Sequence, residues 1–282
     1  MTIAEALRDA ERRLAAARVD DPRLEAEFLF AALLNRSRPQ LLLNRQDPLS
    51  PPQRRRLITG VRRRAARWPL AYVVGNQPFR DLTLRVTPAV LIPRPETEEL
   101  VERALERMRM AERPLTVADI GTGSGCIALS LAGSPRAATV WAVDRSSGAL
   151  RVARGNARAL HRRCRFVLGD LASPLIRRGI RVDLLAANLP YVNQADWRTL
   201  APEVRREPRT ALVAADRGLA LIARLIRQAP RVLQPGGTIL LEIGIRQSQA
   251  VQKLFRASGL WNNGVVHRDT AGIPRVAEAQ LT

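Results

Sequence analysis

The sequence predicts an α/β protein: a mainly parallel sheet with helices on both faces, preceded by a small helical unit. Three observations carry this reading. From Leu115 onward, short apolar runs alternate with stretches of helical periodicity, the pattern of successive strand–helix units. Gly121-Thr122-Gly123-Ser124-Gly125 stands where the first of these strands meets the first of these helices. The opening 70 residues instead repeat apolar positions at helical spacing.

Each element has its own justification. Ile3, Ala6, Leu7, Ala10, Leu14 and Ala17 share one helical face. Asp21-Pro22 reads as an N-cap followed by proline at the first helical position, ahead of Ala26, Leu29, Phe30 and Leu33. Ser50-Pro51-Pro52-Gln53 is a capping box that opens a helix through Leu57, Ile58 and Val61. Ala71-Tyr72-Val73-Val74, the turn Gly75-Asn76-Gln77-Pro78 and Leu82 to Val86 predict a hairpin joining two units. Leu91-Ile92-Pro93-Arg94-Pro95-Glu96-Thr97-Glu98 leads into a helix carrying Leu100, Val101, Ala104, Leu105 and Met108. Strands are then expected at 115–120, 138–143, 164–168, 182–187 and 238–243, and helices at 125–133, 147–159, 216–230 and 246–257.

Composition narrows the class. The chain has 282 residues and 46% apolar content, enough for a large core without disulfide staples. Cys126 and Cys164 lie far apart with no CxxC spacing, and the two histidines, His161 and His267, make no metal-ligand pattern, so no metal site is expected. No apolar run reaches the roughly 20 residues of a membrane span, and charges follow Met1 to Glu5 where a signal peptide would be apolar. A cytoplasmic protein is expected. The formal charge is +20, and all the basic residues but Lys253 are arginine. Arg54, Arg55, Arg56, Arg62, Arg63, Arg64 and Arg67 crowd one predicted helix; they make either a solvated face or a face for a polyanion. The charge is spread along the chain, so composition alone explains it equally well.

Four motifs carry chemistry. The glycine turn after Val117-Ala118-Asp119-Ile120 lets a ligand approach the backbone at the carboxyl edge of the sheet. Strand 138–143 ends at Asp144, about 20 residues on, where an acid can accept from both ribose hydroxyls of a nucleoside cofactor. The G-x-G-x-G spacing differs from the G-x-G-x-x-G of dinucleotide enzymes and resembles the first motif of class I methyltransferases. Asp170 then stands where a methyltransferase accepts from the adenine amino group, and Leu171 where it packs on the ring; an ordinary strand-end acid fits the same spacing. Strand 182–187 ends at Asn188-Leu189-Pro190-Tyr191, which resembles the N-P-P-Y motif of methyltransferases acting on planar nitrogens. Such a nitrogen shares its lone pair with a π system and is a poor nucleophile. The Asn188 oxygen and the carbonyl of residue 189 can accept its two N–H bonds, which aims the group and pushes electron density onto nitrogen. Tyr191 offers an aromatic face. Leu189 replaces the family's proline; the carbonyl survives, and Pro190 biases Leu189 towards an extended backbone.

Together with Arg94 to Glu98, Glu207-Pro208-Arg209-Thr210-Ala211-Leu212, Ala214 to Gly218 and the closing Arg268 to Val276, these motifs resemble the release factor glutamine methyltransferase family (PrmC, also called HemK) over nearly the whole chain. The resemblance implies a class I methyltransferase, Rossmann-like, with a mostly parallel seven-stranded sheet. It implies a helical substrate-recognition domain at 1–69, a hairpin linker at 70–92 and a methyltransferase domain at 93–282. The cofactor implied is S-adenosyl-L-methionine, contacted by Gly121, Thr122, Gly123, Ser124, Gly125, Asp144, Asp170, Leu171 and Asn188. The substrate residues implied are Asn188, Leu189, Pro190 and Tyr191, with Asn188, Pro190 and Tyr191 catalytic. Arg94 and Glu96 to Glu98 either shape the pocket mouth or anchor the hairpin. The reaction implied is N5-methylation of glutamine in the Gly-Gly-Gln motif of a bacterial class I peptide-chain release factor, by a monomer that needs no nucleic acid. Two rivals fit parts of the sequence: a methyltransferase of adenine or cytosine amines in nucleic acid, favoured by the charge, and a non-catalytic RNA- or ribosome-binding protein with a degenerate pocket.

Overall fold

The computed structural model describes residues 1–262 and 264–282, which form two compact units. The smaller comprises Met1–Asn76 and Ala201–Arg206. Its helices are α1 (Ile3–Ala16), α2 (Pro22–Leu34), α3 (Arg38–Leu43), α4 (Pro51–Ala65) and α5 (Leu70–Val74). Capping boxes open α1 (Thr2, Glu5) and α4 (Ser50, Gln53), each satisfying N–H groups that a helix start leaves without partners. Asp21 departs from expectation: it sits in the left-handed region and makes no side-chain cap, so Pro22 alone sets the start of α2. Ile3, Leu14, Leu29, Phe30, Leu41 and Leu57 form the core. The arginine face of α4 is divided. Arg54, Arg55, Arg56 and Arg62 are exposed. Arg64 is buried and bridges Glu25 (2.6 Å) and Glu203 (2.9 Å), and Arg67 joins Glu203 (2.6 Å).

The hairpin lies further along than its sequence suggests. Leu70–Val74 is one helical turn, opened by Pro69 and closed by Gly75 at φ +90, so these caps override the strand preference of Tyr72-Val73-Val74. The paired strands are β1 (Asn76–Phe79) and β2 (Leu82–Arg85). Phe79, Leu82 and Leu84 are buried in a core of the larger unit, Gln77–Leu200 plus Glu207–Thr282. The helical unit thus runs to Asn76 rather than 69, and the hairpin packs as part of the sheet-containing unit.

That unit continues with α6 (Thr97–Met110), β3 (Leu115–Ile120), α7 (Cys126–Leu131), β4 (Ala137–Asp144), α8 (Ser147–Ala159), β5 (Arg165–Leu168), α9 (Ser173–Arg177) and β6 (Val182–Ala187). A short pair, β7 (Val192–Asn193) and β8 (Val213–Ala214), precedes α10 (Ala220–Gln228), β9 (Leu233–Glu242), α11 (Ser248–Ser258), β10 (Val265–Arg268) and β11 (Pro274–Gln280). The main sheet has seven strands in the order β10-β11-β9-β6-β3-β4-β5. The five from β9 to β5 are parallel; β11 runs against them, and β10, antiparallel to β11, runs with them at the edge. Both sheet faces are covered, one by a core containing Leu185, Ile226 and Phe255, the other by a core containing Leu100, Met108 and Leu129. The chain builds β3, β4 and β5 in one direction and then returns to lay β6 on the other side of β3. Strand order therefore reverses between β3 and β6, and a crevice opens outside their carboxyl ends.

Candidate active site

The glycine turn follows β3. Gly121, Gly123 and Gly125 have φ of +81°, +56° and +89°, a region that side chains strain to enter. Four of its five N–H groups are hydrogen-bonded. Gly121 and Thr122 N–H donate to the Val143 carbonyl (2.8 and 3.0 Å), Gly125 N–H to Thr122 (2.7 Å) and Gly123 N–H to Asp144 (2.9 Å). Beneath it, Asp119 accepts from the Thr122 hydroxyl (2.6 Å) and from Ala128 N–H (3.1 Å) at the start of α7. Burial pushes the Asp119 pKa up to about 7 against these two bonds. With these N–H groups committed and the helix start already facing a carboxyl, the turn offers no phosphate cradle of the kind that dinucleotide sites use.

A cavity of about 270 Å³ opens over this turn. Gly121, Thr122, Gly123 and Ser124 form its floor, with Asp144, Asp170 and Leu171 along one side and Asn188, Leu189 and Pro190 along the other. The Asp144 carboxylate accepts Gly123 N–H and Ser146 N–H (2.8 Å), which leaves lone pairs for two further donors. Burial raises its pKa, opposed first by the Ser146 bond. Asp170 also pairs with Arg224. Leu171, at φ +48, turns its side chain into the core beside the cavity. Asn188 Nδ2 donates to the Thr97 hydroxyl (3.0 Å), and neither Asn188 Oδ1 nor the Leu189 carbonyl takes a hydrogen bond among the described residues. The glycine turn and the Asn188 loop nearly touch. A Cβ on Gly121 would lie 3.1 Å from Leu189 Cδ2 and 3.5 Å from the Asn188 carbonyl oxygen. The Leu189 side chain is buried and belongs to the core as well as the cavity wall.

Two expected residues stand outside the cavity lining. Gly125 serves packing: a Cβ there would meet Leu129 Cδ1 at 3.0 Å and Ala153 Cβ at 3.3 Å, where α7 and α8 approach. The Tyr191 hydroxyl donates to Glu242 (3.3 Å) and its carbonyl accepts from Gln247; burial raises the phenol pKa. Conversely, the sequence reading left a wall unassigned. Pro88 to Leu91, Pro93 and Arg94 line the cavity, as do Pro208, Thr210 and Ala211. Glu207, buried, ties these pieces together: it accepts Ile92 N–H (2.9 Å) and pairs with Arg94. The two alternatives for the Arg94–Glu98 segment are both realised, since Arg94 and Thr97 line the cavity while Glu98 accepts Arg80 N–H (2.9 Å) in the hairpin turn.

A parallel sheet with one antiparallel strand beside its edge, a glycine turn after β3 and an acid at the tip of β4 define the class I methyltransferase architecture. A 16S rRNA N2 G1207 methyltransferase of T. thermophilus, solved with AdoMet and guanosine, shares this fold at TM-score 0.52 and 19% identity, over 73% of this chain and 50% of that one. The profile of the PrmC N-terminal domain matches residues 5–75, and that of a methyltransferase domain residues 117–209. The release factor glutamine methyltransferase of Moorella thermoacetica is 47% identical over 98% of this chain and 97% of its own. That of Cereibacter sphaeroides is 42% identical over 100% and 99%. The chain belongs to the release factor glutamine methyltransferase family.

Proposed function

We propose that this protein transfers a methyl group from S-adenosylmethionine to the side-chain amide nitrogen of glutamine in the Gly-Gly-Gln motif of a peptide-chain release factor. The observation that carries the reading is the pair of open acceptors, Asn188 Oδ1 and the Leu189 carbonyl, beside a glycine turn that closes its own hydrogen bonds. A primary amide has two N–H donors, and the pair matches them. S-adenosylmethionine supplies an activated methyl when bound. It suits a turn without a phosphate cradle; Gly121 to Ser124 would hold its amino-acid portion and Asp144 its ribose, with Asp170 and Leu171 beside the base. The chain's own residues do the rest. Asn188 and Leu189 hold the amide so that its lone pair faces the turn, and withdrawing its N–H bonds raises electron density on nitrogen. No side chain is needed as a strong base, because the nitrogen sheds a proton only after it has been alkylated.

The helical unit is the natural place for substrate recognition, its exposed arginines on α4 offering a steering surface for an acidic partner. No helix among the described residues is long and apolar enough to cross a membrane, and we place a monomeric enzyme in the cytoplasm with its substrate. The test is a methyl-transfer assay that offers release factor, tRNA, rRNA and DNA side by side with labelled S-adenosylmethionine. Label in the release factor is expected. Label in nucleic acid alone would replace this reading with an amino-methyltransferase of bases, and no cofactor binding by calorimetry would remove both.

A further inference from the structure

Methyl transfer makes no use of the positive charge on the sheet-containing unit, and that charge is unevenly placed. Between Asp144 and Asp170 the chain carries seven arginines and no acid. The structure gathers five of them. A groove of about 860 Å³, where α8 passes into β5, is lined by Arg154, Arg158, Arg162, Arg163, Arg165 and Phe166, with no carboxylate in its walls. Among the described residues none of the five joins an ion pair. Arginines on α6 of the same unit do: Arg103, Arg107 and Arg109 each meet a glutamate. Composition accounts for the number of arginines in the chain, and not for a set kept free of carboxylates. Like charges in one groove repel, and only an anion from outside relieves them here.

The guanidinium groups are held rather than free. Arg154 lies over the Phe166 ring (5.7 Å to its centre) and donates to the Phe166 carbonyl (3.4 Å). Arg165 lies over Trp141 (5.0 Å), its neighbour across the β4–β5 pair. Successive residues of a strand face opposite ways, so Phe166 and Arg165 stand on opposite sheet faces. The basic surface therefore wraps around β5, the last strand of the sheet. Arg162 packs on Gly133, where a Cβ would lie 2.9 Å from its Cζ.

A protein partner needs an apolar centre in the face that it docks on. Here the two rings are already covered by guanidinium, and Arg154, Arg158, Arg163 and Arg165 are what solvent meets. Guanidinium planes grip phosphates by paired hydrogen bonds and stack on bases that no duplex has already stacked. Loops and single strands of RNA present both. We propose that this groove binds single-stranded RNA through its phosphates and unstacked bases. The groove lies at the amino ends of β4 and β5, whereas the methyl-transfer cavity opens at Asp144, the carboxyl end of β4. The two sites therefore take separate ligands, and RNA binding requires no methyl transfer.

The test is fluorescence anisotropy with a labelled, mixed-sequence single-stranded RNA of about 16 nucleotides. For the wild type, log affinity should fall against log salt with a slope of about −3.5, the counterion release of five phosphates. Replacing Arg154, Arg158, Arg163 and Arg165 together by glutamine should weaken binding at least about tenfold and make the slope shallower by about 3. A control removes the same charge from α4, with Arg54, Arg55, Arg56 and Arg62 replaced by glutamine; its affinity should stay within about threefold of wild type. Equal losses in the two variants would make net charge the cause and overturn the groove, as would no RNA binding by the wild type. Without RNA, kcat/KM for release factor should be near wild type in the groove variant. A tenfold fall there, with RNA affinity intact, would make this a face for an acidic protein instead. Duplex DNA bound as tightly as the RNA would overturn the choice of a single strand. A second measurement needs no variant: ultraviolet cross-links between wild-type protein and the same RNA should map to residues 141–166. Cross-links confined to residues 1–76 would overturn the proposal.

Discussion

At the scale of single residues, Asn188 and Gly121 lie side by side at the cavity with different tasks. Asn188 offers its oxygen to the acceptor, and as a cofactor contact it is one of nine expected residues, the other eight of which its substitution leaves in place. Asn188→Ala is therefore expected to abolish methyl transfer while leaving S-adenosylmethionine affinity within about tenfold of wild type by calorimetry; lost cofactor affinity would contradict the assignment. Gly121 matters for what it lacks. Gly121→Ala places a Cβ in left-handed backbone and 3.1 Å from Leu189 Cδ2, so cofactor affinity should fall about tenfold. Leu189→Ala in the same chain should recover part of that loss, and strictly additive effects would show that the two residues do not press on each other. The sequence pointed to both positions through their motifs. It could not show that Leu189, standing where the family has proline, keeps its side chain in the core.

At the scale of elements, the cavity wall from Pro88 to Arg94 has no regular structure and is held by a carboxylate 113 residues away from Arg94 in sequence. Burial raises the Glu207 pKa, opposed by the Arg94 guanidinium and the Ile92 N–H bond. Glu207→Ala would leave Ile92 N–H without its partner and the wall without its anchor. We expect a loss of about 1–3 kcal/mol by denaturant unfolding, together with weakened cofactor binding. An unchanged protein would mean that the prolines alone shape the wall. The Glu207-Pro208 motif was visible in the sequence only as a family signature, because no local periodicity links it to Ile92 and Arg94. The closing strands were hidden for a related reason. In β11 five consecutive residues, Arg275 to Ala279, are buried, and Glu278 among them sits between Arg107 and His267. Neither strand alternation nor an apolar run survives in that pattern.

At the scale of the whole molecule, the charge of +20 divides into two kinds of arginine. Arg64 and Arg67 are internal to the helical unit, and Arg64 is satisfied by Glu25 and Glu203, while Arg54, Arg55, Arg56 and Arg62 face solvent. If the exposed set steers an acidic release factor, the association rate should fall as salt rises from about 50 to 300 mM; a flat response by stopped-flow would remove that role. Stability should also depend on pH. Asp119 and Glu242 both have pKa values pushed up to about 7 by burial. The folded chain then binds more protons than the unfolded chain from about pH 4 to pH 7, so stability falls as pH rises through that window and levels off above it. Thermal midpoints should decline from pH 5 to pH 7, and Asp119→Asn should remove part of the decline. A midpoint that rose over the same range would show that these carboxyls are ionised more readily than their burial allows.

The sequence by itself determined the strand–helix alternation that begins at Leu115, the glycine turn, the acids at strand tips and the Asn188-Leu189-Pro190-Tyr191 segment, because each is written in consecutive residues whose spacing and chemistry are local. Tertiary structure decided which of these meet. It withdrew Gly125 and Tyr191 from the cavity, moved the hairpin past a helical turn at Leu70–Val74, and drew Glu207 and Thr97 to the site. The reason is physical: a buried hydrogen bond or ion pair is formed between partners that only the closed sheet brings within about 3 Å, and nothing in the sequence near either partner records the distance.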